Sequence, residues 1–499
     1  MILNSDMQRR QFHKIFSATA LALGVPGAHA QVQQRPDAAS EIVDFALNLR
    51  FEQLPASVIE NTKRQIIDTL GVALAGHHEP GVSEIFSLAQ KIGGSAESRV
   101  WGSKVYLPSH DAARINATMA HALDYDDTHE PSFMHPGVVC VPTALAMADM
   151  YPQLSGSQII TAIAAGTDIS CRLALAAQPG VNAFKVGWHN TTVYGYFSAA
   201  LVASMLMGLS REQTISALGI AFHQAAGNAQ SHVDGALTKR MGPGFAAYDG
   251  IYAARLASLN VRGPHRVFEG VKGFYQQYHH GNYDRDIILA DLGQRFAIDA
   301  TSFKPWPSCR GSHTAAEAAL NLFQQHRIQR SDVDTIIVAN GPDDYKLLLD
   351  PIEKKRRPHT TVDAQFSNPW VVGVAAAYGD IQLQHFTPQA MQDPEVRAWA
   401  QLVQGKSDPS LVPAKGGPSA AHIMVQLKNG QHLESRVERA KGEPSNPMSP
   451  GEMRSKFIDC LAFTGITTER AEAAYARLNR LELERSPSQV LGALEITKI

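Results

Sequence analysis

From about Ser40 to Gly263, apolar and polar positions recur with the period of a helix. Val58 to Ala75 opens the series, with Ile66, Ile67, Leu70 and Val72 to Leu74 as its apolar stripe. Ile115 to Leu123 follows, and Val138 to Met150 restarts an apolar run after the breaker pair Pro136-Gly137. Ile159 to Ala176 and Val193 to Met207 are rich in Ala and Gly and apolar nearly all round. That pattern predicts helices buried against other helices. Phe245 to Ser258 continues it.

The pattern changes after Gly263-Pro264. Residues 264–300 are mixed and polar. A helical run, Thr314 to Gln325, comes next, and Thr335 to Ala339 is a short β run. Ile423, Val425 and Leu427 alternate with other residues. Asn429-Gly430 then predicts a type I′ turn, and Leu433 to Val437 returns as the second strand. A Pro-rich linker, Gly442 to Gly451, leads into a last helical stretch, Glu452 to Leu483, expected to pack back on the first helices. The expectation is a mainly α protein: a large all-helical domain with an inserted smaller α+β domain. Its parts are residues 37–298 (helical), 299–440 (α+β) and 441–499 (helical again).

The chain has 499 residues, too many for one ordinary core. Charged residues make up 18% and the net charge is -2, so no basic stripe argues for nucleic acid and no acidic run for disorder. Cys140, Cys171, Cys309 and Cys460 are far apart. They fit neither a disulfide framework nor a zinc site. The N-terminus carries Arg9-Arg10-Gln-Phe-His-Lys14, then the apolar run Ile15 to Val25, then Ala28-His-Ala30. This is the layout of a twin-arginine (Tat-like) signal peptide over residues 1–30, with the mature chain starting near Gln31. The expected location is periplasmic, with the cytoplasm as the alternative. No later segment is expected to span a membrane.

Chemistry concentrates in four segments. The first, His121 to Gly137, packs Asp124, Asp126, Asp127, Thr128, His129 and His135 between two apolar helical runs. Carboxylates and imidazoles are the usual groups for moving protons near neutral pH. Asp124, Asp126 and Thr128 sit at positions one, three and five of an EF-hand count. His129 and His135 stand where its Gly and Glu belong, so the segment is not read as a calcium loop, and no metal is expected.

The second segment is Gly187-Trp-His-Asn-Thr-Thr192, with His189 just ahead of a helix that Thr191 or Thr192 can cap. The third is Leu237 to Gly244, with Lys239 and Arg240 ahead of Gly242-Pro243-Gly244, where glycine would let backbone approach an anion. The fourth is Phe303-Lys-Pro-Trp-Pro-Ser-Cys-Arg-Gly-Ser-His313, carrying Lys304, Arg310 and His313 at the expected domain junction. Each segment alone also fits an ordinary role as a cap, a surface charge pair or a linker. Together they suit a small polycarboxylate, held by ammonium groups while imidazoles move protons.

As a set, these segments resemble the MmgE/PrpD family, which includes 2-methylcitrate dehydratase, cis-aconitate decarboxylase and iminodisuccinate epimerase. The resemblance spans nearly all of the chain after the signal. It implies a helical domain completed by C-terminal helices, a small lid domain, a homodimer, and catalysis without metal or organic cofactor. Carried over by residue, it implies Asp124, Thr128, His135, His189, Lys239 and Lys304 as active-site positions. A lid tyrosine of the family aligns with Trp370, which removes a hydroxyl. Arg240, Arg310, His313 and Trp370 are the expected substrate-binding residues. The expected activity is a lyase, a dehydratase or decarboxylase, on a di- or tricarboxylate such as a 2-methylcitrate- or cis-aconitate-like acid. The alternatives are an epimerase acting by proton abstraction and a polycarboxylate-binding protein without turnover.

Overall fold

Small side chains set how closely the central helices pack. A Cβ on Gly250 would lie 2.3 Å from the Ala199 Cβ, and one on Gly166 would lie 2.4 Å from Val202 Cγ2. The helices Gly156–Ala177, Asn190–Leu206 and Thr238–Ser258 therefore approach one another with little between their backbones. Thr238–Ser258 also lies along Ser109–His121, and Gly137–Met150 packs on both Ser109–His121 and Asn190–Leu206. Of these, Gly156–Ala177 and Asn190–Leu206 carry the segments whose sequence is apolar nearly all round, and the structure buries them on almost every side. Gly156–Ala177 is long and apolar enough to cross a membrane by length and composition alone, but its most apolar stretch is 94% buried among the other helices.

The computed structural model describes residues 35–177, 186–413 and 417–496. The expected signal, residues 1–30, lies outside the described residues. Residues Asp37–Ile499 form one compact unit with two main hydrophobic clusters. The larger runs from Ala38 through Ile298 and takes in Phe457, Cys460, Leu478 and Leu494. The C-terminal helix Pro450–Phe463 thus belongs to the first body of helices. A capping box between Ser449 and Glu452 starts it. Lys456, nearly buried, then places its Nζ 2.6 Å from Asp68 Oδ1 on helix Ala56–Ala75 and donates to the carbonyl of Tyr125 at 2.8 Å.

The second cluster lies between Trp306 and Val437. Besides a two-stranded ribbon, β1 (Ser98–Arg99) with β2 (Tyr106–Leu107), the described residues hold one four-stranded sheet. Its strands are β3 (Val333–Asn340), β4 (Val403–Ser407), β5 (Ala421–Leu427) and β6 (His432–Val437), in the order β4-β3-β5-β6. β3 runs parallel to β4 and antiparallel to β5. Helices His313–His326 and Asn368–Tyr378 pack together, the former against β5 and β6, the latter also against Pro394–Gln401. The β5–β6 hairpin is where the alternation predicts it, but its turn differs from the type I′ expectation. Only Gly430 takes a positive φ, +85°, and its N–H donates to Leu427, which makes a type I turn with a glycine bulge. β4 was not legible, because its sequence Val-Gln-Gly-Lys-Ser is polar and it sits at the sheet edge.

Replacing Lys456 by Met should destabilise the protein by about 3–5 kcal/mol in urea unfolding, because Asp68 would keep a buried charge with no cation beside it. Adding Asp68→Asn should recover part of that loss. Equal stability of the single variant and the parent would refute the anchor.

Candidate active site

The loop after helix Ser109–His121 sends three carboxylates in three directions. Asp124 adopts a left-handed backbone, φ 50°, which short polar side chains tolerate better than most. Its Oδ1 lies 3.1 Å from the Lys304 ammonium and 3.3 Å from that of Lys239. Lys304 also donates to the Asp124 carbonyl at 2.6 Å. Burial pushes the Asp124 carboxyl up, but Lys239 and Lys304 outweigh it and hold the group well below the usual carboxylate range. Burial likewise works against the Lys304 charge, and Asp124 and Asp126 overcome it, so this ammonium is held above its ordinary range. Two cations from distant parts of the chain therefore share one carboxylate oxygen.

Asp126 turns the other way. Its Oδ2 lies 2.9 Å from His121 Nδ1 and 2.9 Å from His135 Nδ1. It is completely buried, and although burial opposes its charge, these two imidazoles keep it ionised. With His121 Nδ1 hydrogen-bonded to the carboxylate, Nε2 is the atom of that ring left for proton transfer. His121 Nε2 is buried with no hydrogen-bond partner among the described residues. The His121 ring is 4.9 Å from that of His135 and 5.9 Å from that of His189, and His189 is 4.8 Å from His232. Four imidazoles thus form a row. Burial lowers His121 to about 4 and His232 to about 3, and takes His189 well below its ordinary range.

The third acid, Asp127, serves the fold. It accepts from Gln65 Nε2 at 2.8 Å and from the Gly137 N–H at 3.2 Å, at the start of helix Gly137–Met150. Burial pushes its pKa up to about 8, with Asp126 and Asp68 adding to the shift and the Gln65 hydrogen bond opposing it.

Neighbouring hydroxyls fix the frame. His189 Nδ1 meets Thr192 Oγ1 at 2.7 Å, and Thr191 Oγ1 accepts from the His135 N–H at 3.0 Å. The expected helix caps, Thr191 and Thr192, lie in the first turn of Asn190–Leu206 and tie down the two histidines instead. Thr128 pairs through its backbone with Ser302, two residues before Lys304, which brings the two loops together. Its buried Oγ1 has no hydrogen-bond partner among the described residues.

Two expectations about the Lys239 segment change. The helix does not begin after Gly242-Pro243-Gly244 but runs through them, as Thr238–Ser258, with Lys239 in its first turn. The glycines serve helix contact and not ligand approach. A Cβ on Gly242 would sit 2.3 Å from Thr192 Oγ1, and one on Gly244 would sit 2.5 Å from the Arg114 carbonyl oxygen.

Two family descriptions match the chain, the MmgE/PrpD N-terminal domain over residues 40–286 and the MmgE/PrpD C-terminal domain over residues 306–480. The chain belongs to the MmgE/PrpD family. It is 26% identical to a cis-aconitate decarboxylase-like protein, oryM, of Aspergillus oryzae over 473 residues, which cover 91% of this chain and 96% of that one. It is 27% identical to the cis-aconitate decarboxylase of Homo sapiens, covering 82% and 84%. A cis-aconitate decarboxylase of Aspergillus terreus is 25% identical, covering 81% and 85%.

Within this MmgE/PrpD member, Asp124, His135, His189, Lys239 and Lys304 converge on the cluster, with Thr128 on the adjoining loop. The four residues expected to bind substrate are engaged otherwise. Arg240 turns to Glu79, 3.1 Å away, and to the Pro80 carbonyl. Arg310 pairs with Glu130 at 2.9 Å and donates to the Lys441 carbonyl. His313 is fully buried between Arg310 and the Ser308 carbonyl. Trp370 is fully buried in the second hydrophobic cluster, and its indole N–H donates to the His385 carbonyl. The segment around Trp370 does reach the site, through other residues. Gln365 Nε2 donates to the Leu123 carbonyl, and the Phe366 ring lies 5.8 Å from the Lys239 ammonium. His232 was missed as well. It sits in the polar stretch Gln230–Asp234, which carries no sequence signal of its own.

Among the described residues, His121, Asp126 and His135 form the one set of side chains close enough to share a metal ion, with ligand atoms within 4.8 Å of one another. Both Nδ1 atoms already face one carboxylate oxygen, and the ammonium groups on Asp124 oppose a further cation. The trio reads as a proton-handling unit. A cavity of about 760 Å³ opens behind this loop, lined by Tyr125, Trp306, Lys441, Lys456 and Asp459 among others.

The state of Asp127 gives a pH test. Its folded pKa, about 8, lies above the unfolded value near ~4. The folded state therefore holds an extra proton between those values, and stability falls as pH rises through that window. Asp127→Asn cannot titrate, so from pH 5 to 8.5 it should lose less stability than the parent, by at least about 1 kcal/mol. Parallel pH profiles in thermal unfolding would contradict a neutral Asp127.

Proposed function

We propose that this protein is a lyase that decarboxylates or dehydrates a small di- or tricarboxylate without metal or organic cofactor. One observation carries the reading: two ammonium groups and a row of imidazoles meet at a single buried loop. Lys239 and Lys304 hold substrate carboxylates and the charge that develops beside them. Asp124 keeps both ammonium groups in place before substrate arrives, and Thr128 offers a hydroxyl to orient it. His135 or His189 moves the proton, and Asp126 orients His135.

In a decarboxylation, the bond to the departing carboxylate breaks and carbon dioxide leaves. The electron pair spreads toward a remaining carboxylate beside the lysines, and an imidazolium returns a proton to carbon. In a dehydration, an imidazole takes the proton next to a carboxylate, and the hydroxyl leaves with a proton as water. The names of the curated relatives favour decarboxylation of a cis-aconitate-like acid.

The test is to incubate the purified protein, with EDTA, with cis-aconitate, citrate and 2-methylcitrate and to follow products by NMR in deuterated water. Net product from one of them is expected. Lys304→Ala and His135→Ala should each lower its rate by at least about 100-fold. Deuterium exchange without net conversion would point to an epimerase, and binding without any product to a polycarboxylate-binding protein. Loss of activity with EDTA would reject the cofactor-free reading.

The twin-arginine pattern at Arg9-Arg10 supports export, and the family resemblance supports a homodimer. A mature chain beginning near Gln31 in a periplasmic fraction, with twice the single-chain mass by light scattering, is the expected result. A cytoplasmic chain that keeps its N-terminus would reject export.

A further inference from the structure

The charges at the site balance before any ligand arrives. Lys239 and Lys304 are positive, and Asp124 and Asp126 are negative. A di- or tricarboxylate brings two or three further negative charges into a nearly buried place. Charge that is buried needs a partner. The groups within reach that can still gain a positive charge are the imidazoles. His232 faces Lys239, His121, Asp124 and His135, with the His189 ring 4.8 Å away. His121 faces Asp126, Lys239 and His135, and its buried Nε2 has no hydrogen-bond partner among the described residues. Burial and the nearby lysine favour the neutral form of both rings. A bound polyanion reverses that balance, because it supplies opposite charge at the same place. His232 is only partly buried, on the short helix Gln230–Asp234, whose Val233 is 80% exposed.

We propose that His232 and His121 belong to the polyanion site, and that a di- or tricarboxylate binds together with a proton taken up by this imidazole row. The proposal rests on the polycarboxylate reading above and adds two binding residues and a proton to it. The consequence is a binding constant that depends on pH while the ligand's own charge stays constant. One proton taken up per ligand makes affinity fall about tenfold for each unit of rising pH.

The experiment uses tricarballylate, a saturated tricarboxylate with neither a double bond nor a hydroxyl to eliminate. Its binding to the full protein is measured by calorimetry at pH 7.5 in PIPES, HEPES and Tris, whose ionisation heats differ. The slope of observed heat against ionisation heat counts the protons. About one proton taken up is expected in the parent. His232→Asn and His121→Asn should each lower the uptake and flatten the fall of affinity from pH 7 to 8.5. A zero slope in the parent would overturn the proposal and leave the polycarboxylate reading standing. So would an unchanged slope in His232→Asn, whose exposed helix gives it little reason to misfold. No binding of tricarballylate, cis-aconitate or citrate would sink the polycarboxylate reading and the proposal together.

Discussion

The site depends on one contact, the Asp124 carboxylate held between two ammonium groups. Burial works against the Lys304 charge and that anion offsets it, while the two ammonium groups hold Asp124 ionised. The contact also ties together three stretches of chain, the loop after helix Ser109–His121, the first turn of Thr238–Ser258 and the link into the second cluster. Removing Asp124 would leave the buried Lys304 ammonium without its nearest carboxylate. A substrate carboxylate placed beside Asp124 finds both cations already fixed, so little reorganisation is left for the moment of binding.

Around that contact the three adjacent acids divide the labour. Asp124 orders cations, Asp126 orders imidazoles, and Asp127 orders a helix start. The division follows from direction, set by one left-handed residue at Asp124, since all three belong to one short loop. The same loop is fixed from outside by Thr191 and Ser302, so its geometry belongs to the surrounding helices as much as to its own sequence.

Much of this was legible in the chain. The helices apolar on all sides could only be internal, and the β5–β6 hairpin announced itself by alternation. The loops rich in His, Asp and Lys could be chosen because such residues are scarce in apolar surroundings. What sequence could not supply was aim. Arg240 adjoins Lys239, yet a helical step of one residue turns it to another face, toward Glu79. The family resemblance singles out Trp370, but the tryptophan lies in its own core while Gln365 and Phe366, just before it, reach Leu123 and Lys239. His232 lies in an unremarkable polar stretch, and only the fold brings it to His189. Gly242-Pro243-Gly244 reads as a break, yet close contact with Thr192 and Arg114 makes small residues necessary inside a continuous helix.

The anchoring of Lys456 to Asp68 and Tyr125 bears on how the molecule comes into being. The bond to Tyr125 closes a loop of 331 residues, and the whole second cluster lies inside it. While the chain is being synthesised, the early helices must wait with their seat for Pro450–Phe463 empty until almost all of it has emerged. Contacts so remote in sequence come late and slowly. The groove along Ala56–Ala75 is then the surface most in need of a chaperone's shelter, and a ribosome stalled inside the second cluster would release a chain whose helical body stays unsealed.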